Sequence, residues 1–239
     1  MPAPLLFALL LLACAGDTGI DDTGRGSGPD DTAPDDTAPG DTGWEGPCPP
    51  NTVQVGDFCI DAYEPTIVGE LGYADQLVEF PGTATTGVAR TEPGVLPTEF
   101  TSWYQARGAC LNAGKHLCTL EEWRAACGAG AFPWGDEPLP QAVCAVPAED
   151  GTPYPDGLQP TGALPDCRTP SGIFDQIGNA WEWADPGTFD DDGAPTTAKL
   201  GGAWYSGQGN TSCLVEPVTE HAPWFEGTIA GRCCVAARE

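Results

Sequence analysis

Apolar and polar positions divide the chain into three unequal stretches. The first is a run of Leu and Ala from Leu5 to Ala13, about the length of a signal-peptide core and too short to cross a bilayer as a helix. The second reaches from residue 14 to 46. It is built largely from Asp, Thr, Gly and Pro, contains the direct repeat DDTAPDDTAP at Asp30–Pro39, and has almost nothing apolar before Trp44. Such a stretch cannot bury enough surface to offset chain entropy, so it is predicted to be a disordered, self-repelling spacer. In the third, residues 47–239, apolar residues recur in short groups over a length that suits one domain.

Two helices are signposted inside that domain. Ser102 with Gln105 and Thr119 with Glu122 each fit a capping box, in which the first side chain accepts from the fourth residue's amide and the fourth reaches back. Helices are therefore predicted from Trp103, ending near Gly114, and from Leu120, ending at Gly128. Trp103, Ala106 and Cys110 then share one face, as do Trp123 and Cys127, and these faces point to the core. Elsewhere Gly and Pro separate short apolar runs at Phe58–Ala62, Lys199–Tyr205 and Arg232–Ala236, which predict short antiparallel strands between long structured loops. The fold class is α+β with little regular secondary structure.

Charge adds an exclusion. A formal net charge of -26 with only nine Lys and Arg argues against nucleic-acid binding, although the spacer supplies a good part of that charge. The spacer lacks the D-x-D-x-D-G pattern with a downstream Glu that calcium loops use, and Asp190–Gly193 is read as a solvated loop.

Cysteine usage changes the picture more. Leu11–Cys14 matches a bacterial lipobox, so residues 1–13 are expected to be a lipoprotein signal peptide and Cys14 the lipidated N-terminus. The n-region lacks Lys and Arg, and an ordinary secretory signal ending near Ala15 or Gly16 is the alternative. Both export the chain, and the first anchors it by lipid to a membrane of the bacterial cell envelope, facing the periplasm or the cell surface. With Cys14 set aside, ten of the 11 cysteines remain, all between Cys48 and Cys234. In an exported chain that density reads as a disulfide framework, whose connectivity spacing alone does not fix.

Several strings carry a resemblance. DFCIDAYEPT (Asp57–Thr66), SWYQARGACLNAGKHLCTLEEWRAACGAG (Ser102–Gly130), Pro133-Trp134-Gly135, GNAWEW (Gly178–Trp183), LGGAWYSG (Leu200–Gly207) and AGRCCVA (Ala230–Ala236) follow one another along the chain. In that order they resemble the formylglycine-generating enzyme, or sulfatase-modifying factor, family from about residue 47 to the C-terminus. The resemblance implies a C-type-lectin-like fold with its termini brought together. It implies a calcium ion held by the side chains of Asp175 and Glu182 and the main-chain oxygens of Gly178 and Ala180, a donor set suited to a hard cation. A second family calcium site looks lost, since Cys144 stands where an Asn is expected.

The family's oxidase chemistry uses two thiols that bind copper and activate oxygen at a substrate cysteine. By alignment Ser206 occupies the first of those positions, and the second falls near Thr211, so copper is not expected. The resemblance pairs Cys127 with Cys213 and Cys110 with Cys233. Proximity suggests Cys48 with Cys59 and Cys144 with Cys167, which leaves Cys118 for Cys234. The chain's two histidines, His116 and His221, are too few for the three-His iron site of ergothioneine-pathway relatives. Zinc through His116 and Cys118 would require unpaired cysteines, and His116 is read as a surface or loop residue. No nucleophile elbow surrounds Ser206.

The expected function is that of an exported lipoprotein whose domain is a calcium-stabilised binding or structural module, its ligand an envelope protein, peptide or glycan. Two alternatives stay open. One is an enzyme, either an oxidase with a rearranged pair such as Cys213 with Cys233 or Cys234, or another activity in a cleft between Trp204, Tyr205 and Trp224. The other is a calcium-dependent sugar-binding lectin.

Overall fold

A computed structural model describes residues 44–71, 86–137, 140–188, 196–221 and 227–238. The apolar leader, Cys14 and the spacer up to residue 43 lie outside the described residues, as do Asp190–Gly193 and Trp224.

Both capping boxes form. Ser102 Oγ accepts from Gln105 N (3.2 Å) while Gln105 Oε1 accepts from Ser102 N (2.9 Å), and helix α1 runs Trp103–Asn112. Thr119 and Glu122 exchange the same pair of bonds ahead of α2, Leu120–Cys127. Satisfying amide groups that lack intrahelical partners is what lets helices this short start where they do. Gly128, at φ +108, ends α2.

The strands are short and belong to three sheets. β1 (Thr52–Val55), β2 (Phe58–Asp61), β10 (Cys233–Ala236) and β5 (His116–Leu117) form an antiparallel sheet in the order β1-β2-β10-β5, which joins the start of the domain to its end. β3 (Thr66–Val68) pairs with β4 (Val88–Arg90). The third sheet has the order β8-β7-β6-β9, from Val218–His221, Thr196–Leu200, Trp181–Ala184 and Ile229–Gly231. Within it β6 and β9 run parallel and the other pairs antiparallel.

Two details differ from the sequence reading. The strand expected at Lys199–Tyr205 lies earlier, at Thr196–Leu200, because Gly201 and Gly202 turn into the left-handed region (φ +82 and +72) and end it. The WEW string, which lies outside the three predicted strand runs, is the buried central strand β6.

Trp103 Nε1 donates to Ala184 O (3.2 Å) and Trp183 Nε1 donates to Thr101 O (2.8 Å), so α1 and β6 grip one another through both indoles. Trp103, Tyr104, Leu117, Trp183 and Ile229 form one core cluster; Trp123, Ile177 and Leu200 form a second on the other side of β6. The buried indoles of Trp103, Trp123 and Trp183 each remove a large apolar area from water while their N–H groups find acceptors. Because side chains alternate along a strand, β6 serves both clusters and still turns Glu182 inward.

Five disulfides staple this frame: Cys48–Cys59, Cys110–Cys233, Cys118–Cys234, Cys127–Cys213 and Cys144–Cys167. They join the cysteines in the pairs set out above. A domain with so little regular structure relies on such cross-links to limit the freedom of its unfolded chain.

Candidate functional site

The loop Asp175–Ala180 is built by backbone conformations few residues adopt. Asp175 and Asn179 sit at φ +57 and +55, and Gly178 at +77. A Cβ on Gly178 would lie 2.5 Å from Ala145 O, so only glycine fits there. Gly178 N donates to Gly201 O (2.9 Å) and Trp204 N to Asn179 O (3.1 Å), which lashes this loop to the turn after β7. The GNAWEW and GGAW strings thus meet in space.

Beneath the loop lies a buried ionic centre. Arg232, fully buried just before β10, donates from Nε to both oxygens of Glu182 (3.0 Å each), from Nη1 to Asp61 O (2.8 Å) and from Nη2 to Phe174 O (2.8 Å); Nη2 also bonds Glu182 Oε1. Trp123 Nε1 donates to Glu182 Oε2 at 2.5 Å. Glu64, also fully buried, accepts from Ala180 N (3.0 Å) and Asn179 Nδ2 (2.5 Å), and Asn179 Oδ1 accepts from Gln159 N (2.8 Å). Asp175 Oδ2 accepts from Gly162 N (2.7 Å). A separate pair, Asp61 with Lys115, adjoins the centre.

The charges do not balance. Glu64, Asp175 and Glu182 place three carboxylates around the single guanidinium of Arg232. Burial, reinforced by Asp175 and Glu182, pushes Glu64 well above the usual carboxylate range despite Arg232. Burial likewise raises Asp175 to about 7, against the hydrogen bond from Gly162 and the pull of Arg232. Burial works to discharge Arg232, yet Glu182 prevails and raises its pKa.

The donors fit calcium in part. Two surplus buried carboxylate charges are what a divalent cation neutralises, and the loop offers oxygen ligands only. No described hydrogen bond uses Asp175 Oδ1. Glu182 differs from the expected ligand set. Its Oε1 accepts from Nε and Nη2 of Arg232 and its Oε2 from Nε and Trp123 Nε1, so it could reach a cation only by sharing or giving up one of these bonds. Asp175 and the main-chain oxygens of Gly178 and Ala180 lie on the one loop. Cys144, where the second family site expects an Asn, is in the disulfide with Cys167.

At the expected thiol positions the chain has other work. Ser206, 6% exposed, accepts from Ala203 N through Oγ (2.7 Å) while its own N–H donates to Ala203 O (2.9 Å). Its hydroxyl closes a turn. Thr211 is buried and lines an open groove of about 340 Å³ together with Gln141 and Glu149. Cys213, Cys233 and Cys234, the members of a rearranged pair, are each bonded to another cysteine.

Of the aromatic cleft, Trp204 and Tyr205 are described. Trp204 Nε1 is buried with no hydrogen-bond partner among the described residues, and Tyr205 Oη accepts from Thr228 N (3.2 Å). The amide–carboxylate pair at the GN turn, Asn179 with Glu64, is buried and satisfied internally, not presented to a sugar. His116 is a half-exposed strand residue bonded to Glu122 (2.9 Å), and His221 ends β8, far along the chain from it. Burial opposes ionisation of Glu122, but its bonds to His116 and Thr119 prevail and hold its carboxyl below the usual range.

Sequence reasoning singled out Asp175 and Glu182 but missed Arg232 and Glu64. Both stand inside quoted strings, AGRCCVA and DFCIDAYEPT, and a buried-charge count of those strings was the available signal.

Comparison with known proteins accords with this arrangement. The family model of the sulfatase-modifying factor enzyme 1-like domain matches residues 28–216, beginning inside the acidic spacer and stopping just before β8. Inactive C-alpha-formylglycine-generating enzyme 2 of Bos taurus is 34% identical over 100 residues, covering 37% of this chain and 32% of that protein. Hercynine oxygenase of Mycolicibacterium smegmatis is 30% identical over 146 residues, covering 58% and 29%. Formylglycine-generating enzyme of Mus musculus is 33% identical over 99 residues, covering 36% and 26%. The chain spans about a third or less of the length of these relatives. Among solved structures, CarF aligns with a TM-score of 0.48 at 14% identity over 80% of this chain and 95% of that one. PvdO from Pseudomonas aeruginosa aligns at 0.47 and 15% over 74% and 79%. With its strings meeting around one buried centre and the family model matching most of its length, the chain belongs to the sulfatase-modifying factor family.

Proposed function

We propose that the protein is an exported lipoprotein, anchored through Cys14, whose sulfatase-modifying-factor domain serves as a calcium-stabilised binding or structural module of the bacterial cell envelope and not as an oxidase. The carrying observation is the fate of the thiols. Oxygen activation by copper in this family takes two of them, and here Ser206 spends its hydroxyl on Ala203 N while every cysteine from Cys48 to Cys234 is in a disulfide. A rearranged pair drawn from Cys213, Cys233 and Cys234 would have to break bonds that tie α2 and β10 into the core. The relative named an inactive C-alpha-formylglycine-generating enzyme supports the same direction.

Calcium, when bound, would supply the positive charge that Glu64, Asp175 and Glu182 leave unmatched. Asp175 and the main-chain oxygens of Gly178 and Ala180 would hold it, with Glu182 contributing through an oxygen shared with Arg232. Asn179, tied to Glu64 and Gln159, fixes the loop that presents these oxygens. The test is a Cu(I) titration of the oxidised protein, paired with an oxygen-dependent turnover assay on a cysteine-containing peptide. No two-thiolate copper complex and no peptide aldehyde are expected. One Cu(I) per chain with conversion of the peptide cysteine would overturn the reading.

A further inference from the structure

We propose that Phe100 and Tyr205, with the carboxylates of Glu99 and Asp156, form a surface that docks an arginine-bearing segment of a protein partner. Docking of this kind rests on the binding-module reading and names its ligand. Phe100 is the backbone exception of the molecule. Among the described residues, the other non-glycines at positive φ are Asn51, Asp175 and Asn179, types that tolerate the left-handed region, whereas Phe100 sits there at +56. Its ring is not buried in return, for the residue is 57% exposed. A bulky side chain held in a disfavoured conformation and left in water serves neither backbone nor core. Strain of this kind gathers where a group is presented to a partner.

The fold brings Tyr205 and the carboxylates to the same place. Phe100 N donates to Gly227 O (3.2 Å). The hydroxyl of Tyr205 lies against Gly227, where a Cβ would come within 2.5 Å of it, and accepts from Thr228 N (3.2 Å). Glu99 Oε1 accepts from Thr228 Oγ1 (2.6 Å). Gly227 and Thr228 thus hold Glu99, Phe100 and Tyr205 together, with Tyr205 39% exposed. From another loop, Tyr154 N donates to Trp204 O (2.9 Å) and Gly157 N to Tyr154 O (3.1 Å), which brings the turn carrying exposed Asp156 up to the Trp204–Tyr205 pair.

Aromatic faces next to carboxylates suit a planar cation, which can stack on the rings and pair with the acids. Elsewhere the molecule makes this pairing internally. Arg107 lies over Trp103, Arg168 over Phe174, Lys199 over Trp181 and Arg238 over Trp44. Among the described residues no Lys or Arg lies over Phe100 or Tyr205, and none of the described ion pairs uses Glu99 or Asp156. The chain has nine Lys and Arg against 35 Asp and Glu, so charge complementarity favours a partner that brings the cation itself.

The test titrates the full, oxidatively folded chain into a fluorescein-labelled, cysteine-free peptide of alternating Arg and Gly, read by fluorescence anisotropy. One-to-one binding that weakens with salt is expected, and the matching Lys–Gly peptide should bind about threefold less tightly, since the guanidinium stacks and the ammonium does not. Phe100→Asn suits the positive φ, so the melting temperature should hold or rise while affinity falls about threefold or more. Glu99→Gln with Asp156→Asn should weaken binding about fivefold or more. Asp57→Asn with Glu121→Gln removes the same charge from exposed positions of the groove beside α2 and should weaken it less. Unchanged affinity in Phe100→Asn, equal losses from the two carboxylate pairs, or a neutral oligosaccharide bound in place of the peptide would each overturn the proposal. A fall in the melting temperature of Phe100→Asn would overturn it too, by giving the ring a structural task. These readouts involve neither copper nor thiols, so their failure strikes the ligand alone, whereas turnover of a peptide cysteine would strike the module.

Discussion

Arg232 shows how much one side chain can organise when it is buried with its partners. It binds Glu182 and two carbonyl oxygens, and removing it strands a carboxylate in the core. Breaking a buried pair from one side typically costs about 3–5 kcal/mol. Arg232→Met is therefore expected to lower unfolding stability by about that amount in a urea titration, whereas a loss near zero would mean that Glu182 is not held as described. The residues of this centre were unequally legible. Glu182 and Asp175 stand in a motif whose spacing draws attention, but Arg232 lies 50 residues from Glu182, and Glu64 lies 115 from Asn179. Pairings that long are set by topology, which no local pattern encodes. Gly178 is the counter-example, since its need for positive φ and its contact with Ala145 explain why the turn string carries glycine there.

At the scale of elements, the helices were readable because everything that starts them lies within four residues. Ser102→Ala should remove the acceptor for Gln105 N and cost about 1 kcal/mol, read as a shift in the denaturation midpoint with unchanged slope. A negligible shift would mean that packing alone fixes the start of α1. Strands were harder to place. β5 has two residues and β9 three, too few to show a period, and β9 acquires its identity from parallel pairing with β6, some 48 residues upstream by the Trp181–Ile229 register. The run Lys199–Tyr205 is apolar enough to read as one strand, yet two glycines at positive φ cut it after Leu200. Cys110–Cys233 and Cys127–Cys213 were legible only through the family, because cysteines 123 and 86 residues apart carry no pairing signal of their own.

For the whole molecule, the surplus of buried acid sets a pH dependence with a definite sign. Asp175 has a folded pKa of about 7 against 3.8 unfolded, so its contribution to stability is fully present below about 4 and is lost as pH rises through 7. Glu64 shifts in the same direction. With a chelator present, the melting temperature is expected to fall between pH 5 and pH 8, and calcium to raise it more at pH 8 than at pH 5. Asp175→Asn should flatten the pH dependence and reduce the response to calcium. An equal calcium response at both pH values would contradict a cation bound by ionised Asp175. The central claim, a family domain without its reactive thiols, rests on the state of its cysteines. It is tested most directly by trapping free thiols during denaturation of the unreduced, oxidatively folded protein and mapping them by mass spectrometry. The account predicts that all ten cysteines from Cys48 to Cys234 emerge paired, in the five bonds described. Two free thiols among them, able to bind Cu(I), would contradict it and mark the protein as an oxidase.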